Sequence, residues 1–244
     1  VAIEAGVDHL AVALLDEAIA LRQAGIRIPI LVLGWVRPQD VNKAAHYDIT
    51  LTVFQASWLL EALAYSTSSL RLHLKIDTGM GRIGVRDMRE AEAILSFIEQ
   101  HNRVTLEGVY THFATADEDE GDFFLAQQKR FEQWLTWLSK RGERPEVIHA
   151  SNSAGALRIP HKSYHYVRLG IAMYGLEPSV EMTLPFSLHQ AFSLHSRLIH
   201  VKQLPPGEPI SYGATYRTSG WEWIGTIPIG YADGWIRKLA NSAE

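Results

Sequence analysis

The sequence predicts an α/β fold: a (β/α)8 TIM-type barrel missing its first β/α unit, followed by the start of a mainly β C-terminal domain. Three observations carry this expectation. Short apolar runs alternate with longer helical patterns over most of the chain, and such alternation with short connections argues for a parallel sheet with helical crossovers. Seven β/α steps can be counted, one short of a closed barrel. After about Ser187 the helical patterns stop and strand-like runs follow one another directly. The barrel domain is therefore expected over residues 1–187 and the β domain over residues 188–244. A doubly wound sheet is the competing architecture.

The elements are expected in this order. His9–Leu15 reads as a strand and Asp16–Gln23 as a helix, closed by Gly25. Pro29–Leu33 reads as a strand and Pro38–Ala45 as a helix; Ile49–Phe54 and Ser57–Tyr65 repeat the pair. Leu70–Ile76 reads as a strand, and Asp87–Gln100 as a helix with Ala91, Ile94, Leu95 and Ile98 at helical spacing. Val104–Tyr110 is expected to be a strand, Phe123–Leu138 a helix, and Val147–Ala150 and Tyr166–Leu169 the last two barrel strands. Beyond them Phe192–Lys202 alternates, and Ile210–Tyr216 and Trp223–Ile229 read as strands.

Composition excludes several functions. The 244 residues are 47% hydrophobic and 20% charged with a net charge of −4, so nothing suggests a nucleic-acid partner. No apolar run approaches the ~20 residues that cross a bilayer, so no membrane partner is expected. No basic segment followed by an apolar one opens the chain as a signal peptide would. The absence of cysteine excludes disulfides, a cysteine nucleophile and a thiolate-ligated zinc, makes a cytoplasmic location the default, and no metal centre is expected. The start at Val1 and the stop just after an apolar segment both read as cuts through a larger protein.

Residues 71–85, RLHLKIDTGMGRIGV, hold the densest chemistry. The spacing Gly79-x-Gly81-x-x-Gly84 matches a dinucleotide fingerprint. Its context does not: the helix is expected only from Asp87, and the nearest acid at ribose distance, Glu99, lies inside that helix. Read as a barrel strand, the same segment places Lys75, Asp77 and Arg82 at a strand's C-terminal end, where barrel active sites are built. His112 follows the next strand in the same way. The strand Val147–Ala150 ends in Ser151-Asn152-Ser153 and the last strand ends in Val167-Arg168-Leu169-Gly170-Ile171, and the loops after the last two strands are the usual location of a barrel phosphate site. Composition alone assigns no role to the tyrosines of the β segment.

Six segments in register, LHLKIDTGMGRIGV, EGVYTHFATADE, ASNSAGALR, VRLGIAMYGL, ISYGATY and WIGTIPIGYADGW, resemble bacterial alanine racemases, and the likeness runs from end to end. The resemblance implies pyridoxal 5'-phosphate (PLP) as cofactor, alanine as small-molecule substrate, and D-alanine made for peptidoglycan. It also implies a homodimer whose sites combine the barrel of one subunit with the β domain of the other. By the same resemblance Arg168 meets the PLP ring nitrogen, while Ser153, Gly170 and Ile171, with Asn152, hold the phosphate. Arg82 lies near the phenolic oxygen and the substrate carboxylate, and Lys75 is a lysine often carbamylated and then paired with that arginine. Tyr212 is the catalytic base, His112 links it to Arg168, and Tyr231 lines the access route to the substrate.

The sequence departs from the family in one large respect. The lysine that carries PLP lies in a motif close to V-K-A-N-A-Y-G-H-G, which does not occur here. The chain is thus expected to be a fragment, lacking the first β/α unit and most of the β domain, and inactive as written. A broad-specificity amino-acid racemase stays open, as substrate size depends on residues beyond Glu244. A non-catalytic PLP-carrier barrel ends with its barrel, and the segment carrying Tyr212 argues against it.

Overall fold

Six parallel strands lie side by side in chain order, each joined to the next through a helix: β1 (Leu10–Val12), β2 (Ile30–Val32), β3 (Thr50–Val53), β4 (Leu70–Lys75), β5 (Val104–Tyr110) and β6 (Val147–His149). The helices are α1 (Leu15–Gln23), α2 (Val41–His46), α3 (Ala56–Tyr65), α4 (Met88–Glu99), α5 (Asp122–Arg141) and α6 (Ser153–Arg158). The computed structural model describes residues 1–118, 121–159 and 164–239. The chain divides into two compact units, residues 1–191 and 192–244. Among the described residues no helix is long and apolar enough to cross a membrane.

Strand side chains alternate between faces, and β4 shows the consequence. Leu70, Leu72 and Leu74 are buried in one core cluster with Leu59, Ala91, Ile94 and Leu95 of the helices. Its other face carries Arg71, His73 and Lys75, alongside Thr50 and Thr52 of β3, Tyr110 of β5 and His149 of β6. Parallel strands are commonly apolar on both faces, so a buried polar face marks where the chemistry sits. The ladder between β4 and β5 slips once: Leu72 pairs with Leu106 and His73 with Gly108, leaving Glu107 as a bulge residue.

Several expected elements are shorter or broken. The first strand ends before Leu15, because Glu17 accepts the N–H groups of Ala13 and Leu14 at 2.9 and 2.8 Å and starts α1. The strand expected at Tyr166–Leu169 is reduced to one parallel bridge, His149 to Tyr166. Its other bonds, His165 N–H to Ile148 and Arg168 N–H to Ser151, lie three residues apart, out of step with the two-residue alternation of a ladder. Helix α6 stands where the sequence suggests only a loop, started by Asn152, whose side chain accepts the Gly155 N–H at 3.0 Å.

The second unit holds two antiparallel pairs, β7 (His200–Leu204) with β10 (Glu222–Thr226) and β8 (Pro209–Ile210) with β9 (Tyr216–Arg217). The long strand expected at Ile210–Tyr216 is interrupted by a 3-10 turn at Tyr212–Ala214, where Ser211, Gly213 and Ala214 have φ of 61°, 79° and 50°. Phe192–Lys202 contributes strand only from His200, and Trp223–Ile229 only to Thr226.

Candidate active site

The loop after β4 is a glycine-built turn. Asp77 Oδ1 accepts the N–H groups of Gly79 and Gly81, both at 3.0 Å. Gly84 has φ +131°, and a Cβ there would lie 2.6 Å from the Asp77 backbone nitrogen, so only glycine fits. No helix opens from this turn: α4 begins at Met88, capped by Asp87 accepting from Arg89 and Glu90 N–H at 2.9 and 3.0 Å. The dinucleotide spacing is therefore a coincidence of turn glycines. Gln127 and Arg130 of α5 brace the loop; Arg130 donates to the Thr78 carbonyl at 2.9 Å, and Gln127 to Thr78 Oγ1 at 3.3 Å and the His112 carbonyl at 3.2 Å.

Arg168 is the hub of the polar face. Its Nη1 donates to His149 Nδ1 at 2.6 Å, and its Nη2 to the Thr111 and Ala150 carbonyls at 2.8 Å and His112 Nδ1 at 3.2 Å. Its Nε–H and its second Nη1–H have no hydrogen-bond partner among the described residues. Burial lowers its pKa to about 10, which leaves it charged at neutral pH. The guanidinium lies 5.3 Å from the centroid of the Tyr110 ring, and Lys75 Nζ 4.6 Å from the same centroid. Tyr110 is itself pinned by its hydroxyl, 2.9 Å from Thr52 Oγ1, and by stacking on His149 at 4.5 Å.

Burial and this cation set the protonation states. Lys75, 2% exposed, is pulled down to about 7, first by burial and then by Arg168 and Arg82, with Asp77 opposing. His112 is pushed to about 3 by burial, then by Arg168, Lys75 and Arg82, so its ring is neutral. Because a guanidinium only donates, His112 Nδ1 is an acceptor and its proton sits on Nε2. Burial raises Tyr110 to about 12. Arg82 is exposed at the loop tip and forms no ion pair with the unmodified Lys75, since neither side chain carries a negative charge.

The segments after β6 converge on Ser153. Its Oγ accepts the N–H groups of Gly170 at 2.9 Å and Ala172 at 3.3 Å, and Ile171 opens a 3-10 turn between them. The space beside Gly170 is open: a Cβ there would meet nothing within 4 Å. Asn152 is committed at both ends of its amide, to the α6 cap and to the Phe113 carbonyl at 3.2 Å, so it presents Ser153.

The structure thus brings together Lys75, His112 and Arg168, and separately Ser153, Gly170 and Ile171. Tyr212, 75% exposed in its strained turn, and Tyr231, 57% exposed, belong to the second unit. Sequence reasoning passes over Tyr110, His149, His73 and Glu107. The available signal is the polar half of the alternation Arg71-x-His73-x-Lys75, whose faces only the sheet reveals.

Comparison with known proteins identifies the family and the fold. The family model for the alanine racemase N-terminal domain matches residues 1–178, and that for the alanine racemase C-terminal domain matches residues 191–244. The alanine racemase of Geobacillus stearothermophilus is 56% identical over 244 residues, with 98% of this chain and 62% of that protein covered. The chain therefore spans about 62% of the length of that relative. The structure of a Bacillus anthracis alanine racemase with bound L-Ala-P superposes with a TM-score of 0.93 at 51% identity, over 98% of this chain and 63% of that one. A histidine racemase from Leuconostoc mesenteroides follows the same fold at a TM-score of 0.82 and 32% identity, over 96% and 64%. The six parallel strands are thus part of a (β/α)8 barrel, the later strands open a β domain, and the chain belongs to the alanine racemase family.

Proposed function

We propose that this chain supplies the cofactor-binding face and one of two acid/base groups of an alanine racemase, interconverting L- and D-alanine with PLP and so providing D-alanine for peptidoglycan. The observation that carries the reading is Arg168, a half-buried cation bonded through both Nη atoms, with its Nε–H uncommitted among the described residues. The uncommitted Nε–H of a cation fixed through both Nη atoms fits a ring nitrogen. Ser153 Oγ with the backbone of Gly170 and Ile171, beside open space, fits a phosphate.

When bound, PLP supplies the electron sink that lets the Cα–H bond of alanine break. Arg168 would hold the ring nitrogen through its N–H without giving up its proton. By withholding that proton it would limit how far charge leaves Cα, which favours simple return of a proton there. His112 keeps Nδ1 on Arg168 and offers Nε2–H to a phenolic oxygen, which we assign to Tyr212 of the partner subunit in a homodimer. A free phenol titrates near ~10, so this file of donors ending in a cation makes Tyr212 a workable base on one face of Cα. The lysine that carries PLP would serve the other face. Lys75, held near neutrality, can attack CO2 through its free amine. An N–C bond forms, one proton leaves to solvent, and the resulting carbamate gives Arg82 an anionic partner. Tyr231 is assigned to the access route.

The test is racemisation by the full-length protein with PLP, with L-alanine beside L-serine, L-lysine, L-arginine and L-histidine. Preferential formation of D-alanine supports the reading. The likeness to a histidine racemase favours a second reading, a racemase of wider substrate range, which equal rates across the five amino acids would establish.

A further inference from the structure

A file of side chains, with two buried imidazoles between half-buried ends, leads from Arg168 through the polar face of the sheet. Arg168 Nη1 donates to His149 Nδ1 at 2.6 Å; His149 Nε2 lies 2.9 Å from His73 Nδ1, and His73 Nε2 lies 3.1 Å from Glu107 Oε2. Proton positions along it are fixed from both ends. The guanidinium only donates, so His149 carries its proton on Nε2. That proton meets His73 Nδ1, which must accept, so His73 also carries its proton on Nε2 and gives it to the carboxylate. A protonated His73 would set one N–H against another.

The backbone is shaped for this file. Glu107 is the bulge residue of β5, and the next residue is Gly108. A Cβ at Gly108 would lie 2.6 Å from the His73 ring, so the glycine makes room for the imidazole. Glu107 is anchored by Thr50 Oγ1 at 2.9 Å and Arg71 at 3.3 Å. Tyr110 stacks on His149 with planes 7° apart. His73 and His149 are 4% and 3% exposed. A bulge, a glycine and two buried imidazoles serve no packing need that apolar residues would not meet better.

We propose that His149, His73 and Glu107 are positioning residues for Arg168, holding its guanidinium in one orientation from within the barrel so that its Nε–H faces the cofactor. The proposal rests on reading Arg168 as the partner of the PLP ring nitrogen. Two measurements on the full-length protein test it. The first is 15N NMR of the histidines in the unaltered, cofactor-free protein: both His73 and His149 are expected as Nε2–H tautomers, and an Nδ1–H tautomer at either overturns the file. The second is PLP affinity by fluorescence quenching. His73→Leu leaves Arg168 and His149 in place but removes the acceptor that fixes the His149 tautomer, and binding is expected to weaken about tenfold. His73→Gln can accept from His149 and donate to Glu107, so it should restore affinity close to the unaltered value.

Unchanged affinity in His73→Leu overturns the proposal, as does His73→Gln failing alongside it. If His73→Leu does not fold, the tautomer measurement decides. Arg168→Ala separates the two claims: unchanged PLP affinity there removes the underlying reading of Arg168. Loss with Arg168→Ala but not with His73→Leu removes only the positioning file.

Discussion

Replacing Lys75 by methionine should make the cofactor-free protein more stable. Lys75 is 2% exposed, its Nζ stands 4.6 Å from the Tyr110 centroid, and its pKa falls from 10.5 to about 7, chiefly through burial. At about 1.4 kcal/mol per pH unit, that difference amounts to about 4 kcal/mol set against folding at pH 7, and about 2–4 kcal/mol once local relaxation and water penetration are allowed. The folded pKa lies below the unfolded one. Between pH 7 and 10.5 the unfolded chain therefore binds a proton that the folded chain does not, and stability rises with pH across that window. Methionine keeps an unbranched stem against Tyr110 and removes the charge. In urea unfolding of the full-length apoprotein in CO2-free buffer, Lys75→Met should lead by about 2–4 kcal/mol at pH 7, with the lead shrinking towards pH 10. Adding bicarbonate should narrow it by stabilising the unaltered protein through the carbamate. A variant no more stable than the parent at pH 7, or a lead independent of pH, would refute the reasoning.

Acid should destabilise the protein through His112. Its folded pKa, about 3, lies below the ordinary 6.5, so its contribution is intact above pH 6.5 and is lost as pH falls towards 3; His112→Gln should flatten that limb of the unfolding curve. The same variant should cut kcat by about 10²-fold or more while leaving PLP affinity nearly intact, read by steady-state kinetics and fluorescence titration. Gly84→Ala places a Cβ 2.6 Å from the Asp77 nitrogen at φ +131° and should cost about 1–3 kcal/mol, measured by thermal unfolding; a melting temperature equal to the parent's would contradict the strained-turn account. The polypeptide of residues 1–244 by itself, given PLP and L-alanine, should form no D-alanine and develop no absorbance of lysine-bound cofactor. Robust turnover would show that a lysine within it serves the reaction.

The alternation of apolar runs and helices in residues 9–158 is legible because burial of a sheet against helices demands it, and Leu70, Leu72 and Leu74 occupy the face their spacing predicts. Arg82, His112, Ser153 and Arg168 are legible as candidates because they lie at or just beyond the C-terminal ends of expected strands. What lies between strands is less visible. Glu107-Gly108 reads as two ordinary strand residues, yet together they form a bulge and a gap for His73. His149 sits between Ile148 and Ala150 and betrays nothing until β6 is set beside Tyr110. Within 210–216 the apolar and aromatic content argues for continuous strand, and only Gly213 hints at the break. The positive φ of Ser211 and Ala214 has no sequence signal, although strain of this kind collects at functional sites. The α6 cap was open to view in Asn152-Ser153, since Asn is a favoured N-cap, and the interest of those residues as a phosphate loop obscures it.

The pairing of Tyr212 with the Arg168–His112 file as one of two opposed bases is tested most directly by isotope exchange. Full-length Tyr212→Phe would be incubated with PLP and either L- or D-alanine in D2O, and deuterium at Cα followed by NMR. Exchange should persist for one enantiomer without inversion and fall by about 10²-fold or more for the other, with net racemisation lost. Equal exchange of both enantiomers, or racemisation at the parent rate, would contradict the assignment of Tyr212.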